Sequence, residues 1–187
     1  MAATLTRRRF TADEYYRMAE AGILSERDRV ELIDGEVVAM TPIGARHAAC
    51  VTRAARMLDR AAAGDDIVRS QNPVRLDLYH EPEPDVVLVR PRADFYASFH
   101  PRPADILLVV EITDSSLEYD RDVKSPMYAA AGIPEYWLAD LDANVVWRYS
   151  SPRQGTYRVV EPHLRGQSIA PYLLQSCVIA VDRLLTE

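Results

Sequence analysis

The sequence has few of the features that mark secreted, membrane or zinc-binding proteins. It contains only two cysteines, Cys50 and Cys177, which are too few for a disulfide scaffold and the wrong number for a zinc site. No apolar run approaches the roughly 18 residues of a membrane span. The basic N-terminus leads into Thr11 without the apolar stretch of a signal peptide. We therefore expect a protein of the reducing cytoplasm that has no membrane partner.

The sequence also lacks an excess of positive charge. Its formal net charge is −6 at pH 7, which argues against a protein that coats nucleic acid through long-range attraction. A nuclease is still compatible with this charge, because bound metal ions supply positive charge locally. Repeats, low-complexity segments and linkers are absent too, so we expect one domain over residues 1–187 with its own hydrophobic core.

Two carboxylates stand at the ends of two apolar runs in the middle of the chain. Asp85 opens the run 86–89, Glu111 follows the run 106–110, and Lys124 comes further along. Mg²⁺ prefers oxygen ligands and often takes one or two carboxylates. A nearby lysine can stabilise the charge that develops when water attacks a phosphodiester. These three residues are the minimum set for metal-assisted phosphodiester hydrolysis.

Each of these residues also has an ordinary structural interpretation. Asp85 is compatible with a residue that simply starts a strand, and Lys124 with a surface lysine. Glu111 needs a partner or a metal, because a charge that follows five aliphatic residues is costly to bury alone. A structural ion pair would satisfy it as well as a metal would.

Apolar periodicity and turn residues predict alternating helices and strands. We expect helices at 10–21, 44–63 and 117–131, and a last turn at 182–185. Pro126 is expected to kink the third helix or to mark its start. Asp34-Gly35 predicts a hairpin turn. The predicted strands are 30–33, 36–40, 67–71, 74–78, 85–90, 105–113, 135–139, 144–149 and 156–160. This order predicts a mixed α/β fold in which strand 105–113 is central.

The predicted helix 44–63 has two different faces. Four arginines share one stripe of it, namely Arg46, Arg53, Arg56 and Arg60. This stripe is either a solvated face or a set of phosphate contacts. His47 falls on the apolar side, where it is either a buried, hydrogen-bonded histidine or a site residue that points inward.

Several segments together carry a more specific pattern than any of these residues alone. They are Glu31-Leu32-Ile33-Asp34-Gly35-Glu36, His47, Pro73-Val74-Arg75-Leu76, Pro84-Asp85, Glu111-Ile112-Thr113, Tyr119–Lys124 and Ala131–Asp140. In this order they resemble the Uma2 family of restriction-endonuclease-like proteins, which belongs to the PD-(D/E)XK nuclease superfamily. The resemblance covers roughly residues 10–150.

The resemblance implies a mixed central β-sheet flanked by helices. It also implies that Asp85 and Glu111 bind the metal, with the backbone carbonyl of Ile112 as a further ligand. Thr113 stands where the superfamily usually has its lysine. Lys124 fits the helix to which the lysine has moved in similar proteins. The other positions that the resemblance places near the site are Glu31, His47 and, as a weaker candidate, Gln71.

The implied activity is that of a Mg²⁺- or Mn²⁺-dependent endonuclease that acts on DNA. Two alternatives stay open: a nuclease fold that only binds its partner, and a small phosphodiesterase that acts on nucleotides. Restriction-like folds often dimerise so that two sites meet two strands, and we expect a homodimer. The hairpin 144–160 and the loop with Phe95, Tyr96 and Phe99 are the expected interface.

Overall fold

The N-terminal part of the chain forms a helix, a hairpin and a second, longer helix. The computed structural model describes residues 7–25, 27–62 and 66–185. Its first elements are α1 (Ala12–Glu20), β1 (Val30–Ile33), β2 (Glu36–Ala39) and α2 (Ala45–Ala61). Thr11 and Glu14 cap the start of α1 reciprocally, a pattern that satisfies two free backbone donors. Asp34 and Gly35 both have positive φ, 51° and 72°, as the predicted hairpin turn requires.

A six-stranded mixed sheet forms the centre of the molecule. In spatial order its strands are β3 (Ile67–Ser70), β4 (Val86–Val89), β5 (Ile106–Thr113), β6 (Glu135–Asp140), β7 (Val145–Arg153) and β8 (Thr156–Leu164). Neighbouring strands are antiparallel except β5 and β6, which are parallel. The parallel pair needs a crossover connection, and the helical segment between them supplies it.

This crossover segment contains an unusual helical turn. It consists of α3 (Leu117–Tyr119), a π-helical turn (Asp120–Lys124) and α4 (Ser125–Ala130). The Ser125 amide donates to the carbonyl of Asp120, five residues back. Pro126 has no amide hydrogen, and it lies in the first turn of α4, where that donor is not needed. The helix predicted at 117–131 is therefore present, with Pro126 near the start of its last part.

Alternate residues of β5 face two separate cores. Leu108, Val110 and Ile112 pack towards α2, whereas Val109 packs on the opposite face, towards α4. This alternation is the expected two-residue period of a strand. The α2 side is completed by the C-terminal elements β9 (Ser168–Ile169), β10 (Ile179–Ala180) and α5 (Val181–Leu184). β5 is the third strand of the sheet and is buried along its whole length, as predicted for a central strand.

Three expectations about local structure need correction. The strand predicted at 74–78 is wrong, because the amides of Val74 and Leu76 donate to the nearby carbonyls of Pro82 and His80 instead of a sheet neighbour. Tyr96 is buried and donates to the carbonyl of Arg90, so it is not available for an interface. The helix predicted at 44–63 ends earlier, at Ala61; residues 63 and 64 lie outside the described residues.

In the described part of the chain, no helix is long and apolar enough to cross a bilayer.

Candidate active site

A cavity of about 540 Å³ opens where the β1–β2 hairpin, the start of α2, the adjoining ends of β4 and β5, and the π-helical turn meet. The lining includes every carboxylate, histidine and lysine singled out in the sequence. These residues are Glu31, His47, Asp85, Glu111 and Lys124, together with Gln71 and Ile112. Side chains that are far apart in the sequence therefore converge on one cavity.

Asp85 lies directly before β4 and beside the end of β5. Val86 pairs with Val110 in the sheet, so Asp85 and Glu111 are neighbours. Asp85 Oδ2 accepts a hydrogen bond from the amide of Ile112 at 2.9 Å. The Asp85 amide in turn donates to Glu111 Oε2 at 3.2 Å. The two carboxylates are thus held by the backbone of the same two strands.

Glu111 is almost completely enclosed. It is 3% exposed, and its Oε1 accepts from Lys124 Nζ at 3.0 Å and from the Tyr128 hydroxyl at 2.8 Å. Burial raises the pKa of Glu111 above its ordinary value. The charge of Lys124 opposes this shift, and the charge of Asp85 adds to it.

Lys124 is buried at the end of the π-helical turn. Its Nζ lies 3.0 Å from Glu111 Oε1 and 3.6 Å from Glu31 Oε2. Burial alone would lower the pKa of Lys124, but the neighbouring carboxylates raise it above its ordinary value. Lys124 is thus a buried lysine paired with two carboxylates and is not the surface lysine that the sequence also allowed.

Glu31 reaches the cavity from β1. It is 3% exposed, and its two oxygens accept from the Tyr119 hydroxyl at 3.4 Å and from the Glu83 amide at 3.3 Å. The next residue, Leu32, forms a bridge with Glu81. The hairpin is thereby attached to the segment that leads into Asp85.

His47 points from the first turn of α2 towards Asp85. Its Nε2 lies 3.0 Å from Asp85 Oδ2, and because an ionised carboxylate only accepts, we assign the proton of this bond to Nε2. The Nδ1 atom is buried and has no hydrogen-bond partner in the described part of the chain. Burial lowers the pKa of His47, but the hydrogen bond and charge of Asp85, with the Ile112 backbone and Glu111, outweigh this effect, so the net shift of the pKa is upward.

None of the four arginines of α2 lines the central cavity. Arg46 is paired with Asp114 at 3.0 Å and with Asp142 at 2.7 Å. Arg53 donates to the carbonyl of Leu184. Arg56 and Arg60 are exposed. Two of the four are therefore already engaged within the protein.

Sequence reasoning missed several residues of the site. Four of them line the cavity, namely Arg29, Glu83, Tyr119 and Asp120. The fifth, Tyr128, donates a hydrogen bond to Glu111. One signal was available, because Tyr128 lies four residues after Lys124 and residues at this spacing share a helix face. For Arg29 and Glu83 no local pattern indicated the site.

The carboxylate pair fits a hard divalent cation. Among residues 7–25, 27–62 and 66–185, no three His, Cys, Asp or Glu side chains form a group that could hold a metal unaided. Mg²⁺ keeps several water ligands and needs only one or two carboxylates, and Asp85 and Glu111 are adjacent and enclosed as such a site requires.

Comparison with known proteins identifies the family and the fold of the chain. Residues 12–182 match the model of the Uma2 family, whose description is "Putative restriction endonuclease". The chain is also similar to a solved structure from Anabaena variabilis, described as "a putative nuclease belonging to DUF820". The TM-score is 0.72 at 16% identity, over 95% of this chain and 98% of that one, which establishes a shared fold. No curated protein matches the chain. The chain belongs to the Uma2 family.

Proposed function

We propose that this protein is a Mg²⁺- or Mn²⁺-dependent endonuclease that hydrolyses phosphodiester bonds of DNA. The observation that carries the proposal is the position of Lys124. It comes from a different element than the superfamily pattern predicts, yet its Nζ lies 3.0 Å from Glu111. Family membership and the shared fold support the same reaction class.

In this proposal Asp85, Glu111 and the carbonyl of Ile112 hold the cation. When bound, the ion would act as a Lewis acid and lower the pKa of a water molecule that attacks phosphorus. Asp85 is suited to this role because His47 and the Ile112 amide fix one of its oxygens. Hydrogen bonds to ligating carboxylates are a common way of orienting them.

The remaining side chains handle charge and protons. Lys124 stays protonated and can contact the phosphate oxygens as negative charge builds up on them. Glu31 shares the cavity with Lys124 and is placed to accept a hydrogen bond from the attacking water. The Tyr128 hydroxyl donates a hydrogen bond to Glu111 and so helps to fix the orientation of this carboxylate.

Cleavage of plasmid DNA tests this function. We expect purified protein to convert supercoiled DNA to nicked and linear forms with Mg²⁺ or Mn²⁺, and to stop when EDTA is added. Lys124→Ala should remove the activity. Absence of cleavage over a wide range of divalent metals, or undiminished cleavage by Lys124→Ala, would refute the proposal.

We also propose that the protein acts as a homodimer. β8 is an edge strand of the sheet and exposes Val159, Val160 and Leu164, and an exposed apolar edge favours pairing with another chain. Phe95 and Phe99 are exposed on a separate loop. Sedimentation equilibrium tests this, with Val160→Lys expected to give a monomer if β8 is the interface.

A further inference from the structure

A second cavity lies next to the central one, between α2 and β3. Its volume is about 520 Å³, similar to that of the central cavity. Polar side chains from both elements line it, namely Thr52, Arg56 and Asp59 from α2 and Ser70 from β3. β3 is an edge strand of the sheet, and edge strands present unpaired backbone donors and acceptors. The second cavity therefore combines these polar groups with the apolar side chains of Ala48, Val51, Ala55 and Val68, and it suits a ligand that both forms hydrogen bonds and packs on apolar surface.

Gln71 lines both cavities. It follows β3 directly and has a φ of 51°, an uncommon conformation for a residue with a side chain. Its amide donates to the carbonyls of Pro84 and Asp85 at 3.2 and 3.1 Å. Gln71, at the junction of the two cavities, is thus hydrogen-bonded to the backbone of Asp85, which is proposed to bind the metal. Non-glycine residues with such a conformation cluster at functional sites.

Each of the two cavities has one arginine in its lining that the other cavity lacks. Arg29 lines the central cavity and Arg56 lines the second one. Both side chains are exposed, and among the residues that the structure describes neither forms an ion pair such as those of Arg46 with Asp114 and Asp142. Both are therefore accessible to phosphate groups, which arginine binds well.

The charge of the two cavities differs strongly. The central cavity is lined by six carboxylates, Glu31, Glu83, Asp85, Glu111, Asp114 and Asp120. In the second cavity Asp59 is balanced by Arg56. A phosphate can enter the central cavity once a bound cation offsets part of this negative charge. The neighbouring phosphates of the same nucleic-acid strand meet less repulsion in the second cavity.

We propose that the two cavities form one continuous binding track for a nucleic-acid strand. The central cavity takes the phosphodiester that is cleaved, the α2–β3 cavity takes the adjoining nucleotides, and Gln71 lies at the junction. Arg29 and Arg56 each contact a phosphate. This inference rests on the proposed phosphodiester hydrolysis, and it specifies a polymeric substrate. A mononucleotide would fill one cavity of this size and leave the other without a role.

Binding of single-stranded DNA oligonucleotides of graded length tests the track. Fluorescence anisotropy with Ca²⁺ in place of Mg²⁺ measures affinity at several salt concentrations. For the wild-type protein we expect affinity to rise with length. Arg29→Ala and Arg56→Ala should each weaken binding of the longest oligonucleotide by about threefold to tenfold. Each should also lower the slope of log affinity against log salt by about 0.7.

Arg153→Ala is the matched control. Arg153 is an exposed arginine at the end of β7 that lines neither cavity, and its removal should leave the affinity unchanged. Length-independent affinity, or an unchanged affinity and salt slope in Arg56→Ala, would overturn the track. The two proposals fail separately. If the protein cleaves plasmid DNA and both arginine variants bind like the wild type, the proposed track is refuted and the proposed hydrolysis is not. Arginine-dependent binding without any cleavage would remove the hydrolysis alone.

Discussion

Lys124 Nζ lies 3.0 Å from Glu111 Oε1, although the two residues are 13 positions apart and belong to different elements. The π-helical turn that ends at Lys124 is the local feature that accompanies this contact. Turns of this kind are rare and occur frequently at functional sites. A lysine of the crossover helix thus reaches Glu111 from outside the strand that carries this carboxylate.

Replacement of Lys124 by methionine separates charge from packing. We expect Lys124→Met to lower the rate of DNA hydrolysis by about 100- to 1,000-fold, the effect of removing one charge-stabilising donor. The free energy of unfolding without metal should fall by about 3–5 kcal/mol, because Glu111 and Glu31 lose their buried counter-charge. Cleavage assays and urea titrations measure the two effects.

One result for Lys124→Met would contradict a catalytic role of Lys124. If far-UV circular dichroism shows native structure and the cleavage rate stays within about twofold of wild type, Lys124 is a structural ion-pair partner only. Addition of Mg²⁺ should restore part of the lost stability, since a cation between Asp85 and Glu111 replaces some of the missing positive charge.

The sequence predicted most of the sheet because its strands are strongly apolar or bounded by turn residues. β5 illustrates this, since Glu111 ends an apolar run that leaves little choice of structure. The segment 74–78 was misjudged because its amides at Val74 and Leu76 donate to the nearby carbonyls of Pro82 and His80 and not to a strand of the sheet. Short-range patterns do not show such pairings. Arg29 and Glu83 were missed for a related reason, because only the tertiary packing of the hairpin brings them to the cavity.

Asp85→Asn tests the balance of charge without metal. We expect the free energy of unfolding of the metal-free protein to be unchanged or raised by about 1 kcal/mol. Relief of repulsion with Glu111 offsets the weakened bond to His47, and the new amide oxygen can still accept from the Ile112 amide. Mg²⁺ should raise the melting temperature of the wild type and not that of the variant. A clear drop in melting temperature of the metal-free variant would make Asp85 a structural residue.

The pH dependence follows from two upward pKa shifts. Both Glu111 and His47 have raised pKa values in the fold. A raised pKa favours the protonated group in the folded state, so its contribution to stability is present at low pH and is lost as pH rises through the folded value. We expect the metal-free protein to lose stability between about pH 5 and about pH 8, and Mg²⁺ to bind more tightly over the same interval.

Isothermal titration calorimetry in buffers of different ionisation enthalpy measures the protons that metal binding releases. Proton release near pH 6 should be reduced in Glu111→Gln, which has no carboxyl to ionise. An Mg²⁺ affinity that stays the same from about pH 5 to about pH 8 would contradict the prediction.

Tyr128 is expected to orient Glu111 for metal binding. Tyr128→Phe removes the hydroxyl that donates to Glu111 Oε1 at 2.8 Å and should lower Mg²⁺ affinity by about tenfold. Stability should fall by about 1.5–3 kcal/mol, as for a hydrogen bond to a charged group. Tyr157→Phe is the matched control, because its buried hydroxyl donates to the carbonyl of Ile133, outside the site. It should lose stability and keep Mg²⁺ affinity; equal affinities in both variants would assign Tyr128 a packing role only.

The hairpin turn that carries Glu31 is expected to be sensitive to a single methyl group. A Cβ at Gly35 would lie 2.6 Å from Cβ of Arg9, so Gly35→Ala combines a positive-φ penalty with a steric clash. Gly22 has nearly the same φ, 71°, and nothing within 4 Å of an added Cβ. Gly22→Ala should therefore cost about 1–2 kcal/mol of unfolding free energy from conformation alone. Gly35→Ala should cost about 1–3 kcal/mol more because of the clash, and it should also weaken Mg²⁺-dependent stabilisation by displacing Glu31. Equal losses in the two variants would show that the segment beginning at Arg9 does not pack on the turn in solution.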